Sequence, residues 1–377
     1  MAILNKNTTN SPPLVGGVRG GAQTILVTGG AGFIGSNLAI SFKRRYPALN
    51  IIALDNLKRR GSELNLPRLK EEGIRFIHAD IRNPEDLRFN DDINLMIECS
   101  AEPSLLAGFG DNPEYIIRTN LSGTIYCLEL CRRKKADVIF LSTSRVYPYN
   151  AINRLKTIET DTRLVWADKQ SEEVLGWSPE GIGENFPLYG PKTLYGATKL
   201  ASELLIQEYI SSYGIKGVVN RLGVIAGPWQ FGKVDQGVFS LWMLAHYFRK
   251  PLKYIGFGGK GKQVRDLLHI DDLFSLIDLE IKNLSRISGR IYNAGGGREI
   301  SLSLCETTGL CQEISGNRIK IGQDKTARPG DIKIYLSDNT KVFMDLGWSP
   351  KKSARDILGD IHRWIHANEK QLRNCLL

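Results

Sequence analysis

Tyr195 and Lys199 stand four residues apart in the run YGATKLASELLIQEY, a spacing that puts both side chains on one helix face. The pair has a definite chemistry. A phenol with an ordinary pKa of about 10 is a poor base at neutral pH, but an adjacent ammonium stabilises the phenolate and lowers that value. A phenolate so tuned can take the proton of an alcohol as hydride leaves the same carbon. Tyr/Lys pairs at this spacing also arise by chance, so the pair carries weight only if a hydride acceptor lies nearby. A third hydroxyl is expected where an apolar run at 138–142 ends in Ser142-Thr143-Ser144-Arg145-Val146-Tyr147. That segment reads equally well as a turn rich in small polar residues.

A site for the hydride acceptor lies upstream. Ile25, Leu26 and Val27 lead through Thr28 into Gly29, Gly32 and Gly35, spaced G-x-x-G-x-x-G, and an apolar helix pattern follows from Ile34 through Leu38 to Phe42. This is a strand, a tight turn and a helix whose N-terminus faces the turn. Glycine lets the backbone approach a pyrophosphate, which free N–H groups and the positive end of the helix dipole then hold. A second apolar run at 51–54 ends in Asp55, twenty residues after Gly35, where an acid grips a ribose 2′-hydroxyl. Because a carboxylate repels a 2′-phosphate, Asp55 favours NAD over NADP. Arg59 and Arg60 can receive that phosphate or be solvated loop charges.

The elements that must position these residues follow from the apolar pattern. Strand-like runs at 51–54, 74–79, 93–100, 138–142 and 217–222 alternate with amphipathic stretches such as 115–133 and 195–213. Alternation of this kind predicts an α/β fold with a doubly wound parallel sheet, whose strand C-termini gather along one ligand-binding edge. Past Gly223 the texture changes to Gly- and aromatic-rich segments (GPWQFG, YIGFGGKGKQ), and one clear helix is expected at 353–368. The predicted division is a mobile tail at 1–23, a dinucleotide-binding Rossmann domain at 24–222, and a smaller, partly interleaved α/β substrate lobe at 223–377. About 268–295 is expected to return to the first domain.

Composition narrows the function classes. A chain of 377 residues can bury a large core, and no apolar run in it is long enough to span a membrane. The N-terminal apolar segment is too short and interrupted for a signal peptide. Six cysteines contain no C-x-x-C pair, and Cys127 and Cys131 would share a helix face, so reduced thiols and a cytoplasmic location are expected. The net charge of +10 is scattered and no nucleic-acid motif appears, which leaves arginines grouped at one cleft as the functional use of that charge. His362 and His366 lie one turn apart without a third ligand, so no metal site is expected.

Together TGGAGFIG, Asp55, Asp80-Ile81, STSRVY and YGATK resemble the extended short-chain dehydrogenase/reductase family of nucleotide-sugar enzymes, over about residues 24 to 368. The resemblance implies NAD as cofactor, held by Gly29, Gly32, Phe33, Ile34, Gly35, Asp55 and Asn56. It also implies Asp80 and Ile81 beside the adenine, and Ala101 and Asn120 along the cofactor path. Thr143, Tyr195 and Lys199 become the catalytic set, the last two also touching cofactor. One departure stands out: the family's H-x-A-A segment is here Glu98-Cys99-Ser100-Ala101-Glu102.

Family members that eliminate water to form 4-keto-6-deoxy sugars carry Asp-Glu right after the catalytic Thr. Here those positions are Ser144 and Arg145, which argues against elimination and for epimerisation. The substrate-side motifs GPWQF with VDQG, GKQVRDLLH and RPGD are similar to the branch that epimerises CDP-deoxyhexoses at C2. That similarity implies Gln230, Gln236, Ser144 and Arg145 near the substrate, Arg265 and Arg328 on its diphosphate, and Asp331 at the nucleotide end. Arginine suits phosphate because its planar fork grips two oxygens. Arg265-Asp266 reads alternatively as a local ion pair. The competing functions are a UDP- or dTDP-sugar 4-epimerase and a non-catalytic dinucleotide sensor, which needs the glycine turn but not the Tyr/Lys pair.

The segment 150–188 looks long for the family and shapes the pocket. The stretches 115–133 and 195–213 carry apolar residues on more than one face, and in relatives two such helices from each subunit form a four-helix interface. A homodimer is expected, with a tetramer of two such dimers as the larger alternative. Coverage of those faces by 150–188 would instead leave a monomer.

Overall fold

Strand β1 (Thr24–Thr28) is buried at every residue, as a strand covered on both faces must be. The computed structural model describes residues 23–376 apart from Phe89, Asp111, 233–235 and Ala327. Residues 1–22 of the expected N-terminal tail and the Val234-Asp235 pair of the substrate motif lie outside the described residues.

After β1 come helix α1 (Phe33–Arg45) and strands β2 (Asn50–Asp55), β3 (Arg75–His78) and β4 (Leu95–Glu98). Helix α2 (Gly123–Lys134), β5 (Asp137–Thr143), α3 (Thr193–Tyr213) and β6 (Gly217–Leu222) follow. A short β7 (Val224–Ala226), α4 (Val238–Tyr247), β8 (Leu252–Ile255) and β9 (Val264–His269) build the second lobe. Helix α5 (Ile270–Ile287) then carries the chain back to β10 (Ile291–Ala294) in the main sheet. The seven strands run β10-β6-β5-β4-β1-β2-β3, every adjacent pair parallel.

Period-two alternation sends successive side chains to opposite faces. Ile25 and Val27 join Leu38 and Phe42 of α1 and Leu273 and Ile277 of α5 in one core. Leu26 and Met96 join Cys127, Leu128 and Ile206 in the core beneath α2 and α3. In the second lobe, β9 pairs with β7 and with the strands Ser301–Ser303 and Ile334–Tyr335. There α4 packs through Phe239, Trp242 and Met243 on Ile357, Ile361 and Ile365 of the helix Ala354–Ala367. Ser353 caps that helix in a reciprocal box with Asp356.

The stretch expected as one helix at 115–133 is instead Glu114–Ile117, a π turn at Arg118–Ser122 and then α2. The wide turn frees the Asn120 carbonyl, which accepts from Thr124 Oγ1 at 2.9 Å and Ser202 Oγ at 3.0 Å. Residues 150–188 form two small hairpins and pack Ile152, Leu155, Ile182 and Phe186 on Val146, Tyr147, Ile332 and Tyr335. Leu204 and Tyr213 of α3 remain 59% and 54% exposed.

Candidate active site

The turn after β1 needs glycine for two reasons. Gly29 has φ +62°, and a Cβ on Gly35 would sit 2.2 Å from the Gly29 carbonyl oxygen. Gly32 begins α1 with no side chain capping the helix, and its N–H donates to the Gly29 carbonyl at 2.9 Å. Next to this turn, Asp55 at the tip of β2 accepts from the Leu57 and Ala31 N–H groups at 2.8 and 3.1 Å. Burial pushes its carboxyl up, against those hydrogen bonds. Asp80 follows β3; burial would raise its carboxyl, but hydrogen bonds from Arg82 and Asn56 outweigh burial and hold it at about 2.

These groups open on a cleft of about 540 Å³ whose lining also includes Phe33, Ile34, Ile81 and Ala101. A backbone cradle that any Cβ would obstruct, an uncapped helix start and two acids at strand ends together fit a dinucleotide. Arg59 does not stand ready for a 2′-phosphate, because it donates to Gln236 Oε1 and to the Phe231 carbonyl.

At the far end of the cleft β5 and α3 bring the reactive side chains together. The Thr143 hydroxyl accepts from the Arg145 N–H at 3.2 Å, and Thr143 lines the same cleft as Tyr195. Burial raises the Tyr195 phenol above its ordinary value, while the Thr143 hydroxyl and the Arg145 charge work to lower it. Lys199 lines the same cleft as Tyr195 and also meets an acid. Its Nζ lies 3.7 Å from Glu98 Oε2 and 4.3 Å from the centre of the Phe140 ring. A buried pair, Glu203 and Arg221 at 2.8 Å, braces this end, with Glu203 also accepting from Ser142 Oγ at 2.5 Å.

A second cavity of about 730 Å³ adjoins the first and is lined by Arg265, Arg328 and Asp331. Arg265 bonds Asp331 at 2.8 Å across strand β9 and the 328–331 loop, a longer-range partner than the Asp266 beside it in sequence. Asp266 instead accepts from the Gly297 and Ser337 N–H groups at 3.2 and 3.0 Å. Arg145 and Gln236 line both cavities.

One expected ligand contact, Asn120, is placed differently, while Gln230 and Gln236 line the cleft and also brace its walls. Asn120 lines neither cavity; it is fully buried and clasps Glu102 through both backbone groups, at 2.8 and 3.0 Å, so it holds the loop that lines the cleft. Gln236 ties Arg59 to Glu102, bridging the lobes across the cleft. Gln230 donates to the Ile225 carbonyl at 2.8 Å and accepts from Ser240, shaping the loop from within. Sequence reasoning missed Glu98 as a partner for Lys199, although its place in the altered H-x-A-A segment was the signal.

The family model described as the NAD dependent epimerase/dehydratase family matches residues 25–295. The chain belongs to that family. Among curated proteins, CDP-paratose 2-epimerase of Salmonella typhi is 32% identical over 90% of this chain and 98% of its own length. A dTDP-glucose 4,6-dehydratase of Mycobacterium tuberculosis is 27% identical over 87% of this chain and 88% of its own. Among solved structures, a UDP-glucuronic acid 4-epimerase of Bacillus cereus with UDP-glucuronic acid and NAD superposes with a TM-score of 0.74. It is 25% identical and covers 92% of this chain and 99% of its own. This epimerase/dehydratase is therefore an NAD-dependent enzyme of nucleotide-sugar chemistry.

Proposed function

We propose that this protein inverts C2 of a CDP-linked deoxyhexose, the reaction named for its Salmonella typhi relative. The observation that carries the reading is that Thr143 and Tyr195 line one cleft in which the next two residues after Thr143, Ser144 and Arg145, supply no acid for eliminating water. NAD, when bound, accepts a hydride from the substrate carbon and returns it. Tyr195 takes the hydroxyl proton, and Thr143 steadies the oxygen as it becomes a ketone. The 2-keto sugar turns over against the cleft wall, and Tyr195 gives the proton back. Arg265, Arg328 and Asp331 line the cavity assigned to the nucleotide diphosphate.

A UDP- or dTDP-sugar 4-epimerase is the second reading, favoured by the 29% identity to a putative UDP-glucose 4-epimerase of Methanocaldococcus jannaschii. Proton NMR of CDP-, UDP- and dTDP-linked sugars in deuterated buffer tests both. Inversion at C2 of the CDP-sugar, with no deuterium at that carbon, is expected. Inversion at C4 of another nucleotide sugar would overturn the reading in favour of the second, and no turnover at all would favour a dinucleotide sensor.

We infer further that the enzyme is cytoplasmic and a two-fold homodimer through α2 and α3. The five described cysteines are unpaired thiols, and no helix among the described residues is long and apolar enough to cross a membrane. The apolar side chains left exposed on α3, Leu204 and Tyr213, support the dimer. Light scattering that gave the mass of a single 42.1 kDa chain would refute it.

A further inference from the structure

Arg145 is a cation set beside the reacting groups. It follows Thr143 by two residues, and its carbonyl packs so closely on α3 that a Cβ at Gly196 would come within 2.0 Å of it. Its side chain lines both cavities at the wall they share. The guanidinium is held by the Gly330 carbonyl, 3.1 Å from Nη1, and Gly330 itself is wedged against the start of α3, where a Cβ would meet Thr193 at 2.3 Å. The acid that acts on Arg145 most is Asp331, and Asp331 pairs at 2.8 Å with Arg265. Burial and then the neighbouring Arg265 push the Arg145 guanidinium down to about 10, the direction expected of a cation short of counter-charge. Arg145 and Arg265 both draw on Asp331 at the junction of the cavities, with Asp266 acting on Arg265 alone, an arrangement of positive charge that suits a phosphate.

We propose that Arg145 holds the sugar-linked phosphate of the substrate and so selects the carbon that meets Tyr195. The inference rests on the reading of this protein as a nucleotide-sugar epimerase. The phosphate is borne by the anomeric carbon. C2 is bonded directly to that carbon, whereas C4 lies across the ring. A phosphate pinned two residues from Thr143 and against the helix turn that carries Tyr195 brings the C2 hydroxyl to the catalytic pair and turns C4 away. A 4-epimerase needs the opposite arrangement, with the phosphate held a full ring's length from the catalytic hydroxyls. Arg265 and Arg328, which line the second cavity and not the first, are left to the nucleoside-linked phosphate.

Calorimetric titration with the pairs CDP and CMP, UDP and UMP, and dTDP and dTMP tests the contact without needing turnover. For whichever base binds, Arg145→Gln is expected to weaken the diphosphate by about ten- to hundredfold, the loss of one charge-assisted hydrogen-bonding site. The monophosphate, which lacks the sugar-linked phosphate, should change by less than about threefold. Arg145→Lys should restore part of the diphosphate affinity. Equal losses for both ligands, or a Lys variant no better than Gln, would overturn the proposal. Preference for a base other than cytosine would overturn the substrate reading above while still deciding the role of Arg145. The selectivity claim has its own readout: Arg145→Gln that kept C2 turnover at the wild-type rate would overturn it.

Discussion

Lys199 Nζ lies 3.7 Å from Glu98 Oε2, and both side chains are almost wholly enclosed, at 2% and 1% exposure. That distance exceeds a hydrogen bond, and neither Glu98 oxygen has a hydrogen-bond partner among the described residues. The attraction is therefore Coulombic, in a setting where it is poorly screened. Burial pushes the Glu98 carboxyl up while Lys199 opposes it. The groups facing Glu98 are Lys199 and Tyr195 from α3, Cys127 and Cys131 from α2, and its neighbour Cys99.

A charge on Glu98 opposes the field of Lys199 and raises the Tyr195 phenol. Glu98→Gln removes that charge and keeps the shape. The acid limb of the kcat/KM profile is expected to move to lower pH, because Tyr195 then ionises more readily. A limb that stayed in place or moved upward would sink the idea.

Tyr195→Phe keeps the ring and loses the titrating hydroxyl. Turnover is expected to fall by about 10²- to 10⁴-fold while bound NAD is retained. Activity within about tenfold of wild type would show that another group is the base.

Gly35→Ala would place a Cβ 2.2 Å from the Gly29 carbonyl oxygen. The turn must open to admit it, so the purified variant is expected to lose bound NAD, read as missing dinucleotide absorbance. Gly309→Ala is the control: it lies within the helix Leu304–Ser315, and its Cβ would meet nothing within 4 Å. That change should leave NAD content alone and stabilise by about 0.5–1 kcal/mol. Equal NAD content in both variants would count against the cradle.

Glu280, buried on α5, is bonded by Asn220 Nδ2 at 2.9 Å, and burial pushes its carboxyl up to about 8. In the unfolded chain it titrates near its ordinary value of 4.5. Between these values the folded state keeps a proton that the unfolded state has lost, so this group's contribution to stability falls as pH rises from about 4.5 to about 8. Glu280→Gln keeps an acceptor for Asn220 and removes the titration. Its melting temperature should exceed that of wild type at pH 8 by an amount worth about 1 kcal/mol or more, and the gap should close toward pH 5. A constant gap across that range would contradict the assignment.

By itself the sequence determined the features set by short spacing. The glycine turn, the acid at the tip of β2 and the shared face of Tyr195 and Lys199 follow from local geometry, and so were readable without coordinates. Alternating strand and helix patterns likewise implied the parallel sheet, since the burial period differs between the two elements. Tertiary structure alone decided where charges at those positions point. Glu98 and Lys199 meet from β4 and α3, Arg265 finds Asp331 rather than its neighbour Asp266, and Gln236 closes on Arg59 and Glu102 from the other lobe. Asn120 turns from the cofactor path to the backbone of Glu102 because a π turn redirects it. Contacts between residues this far apart in the chain depend on how whole elements pack, and a period of 2 or 3.6 residues carries no information about that.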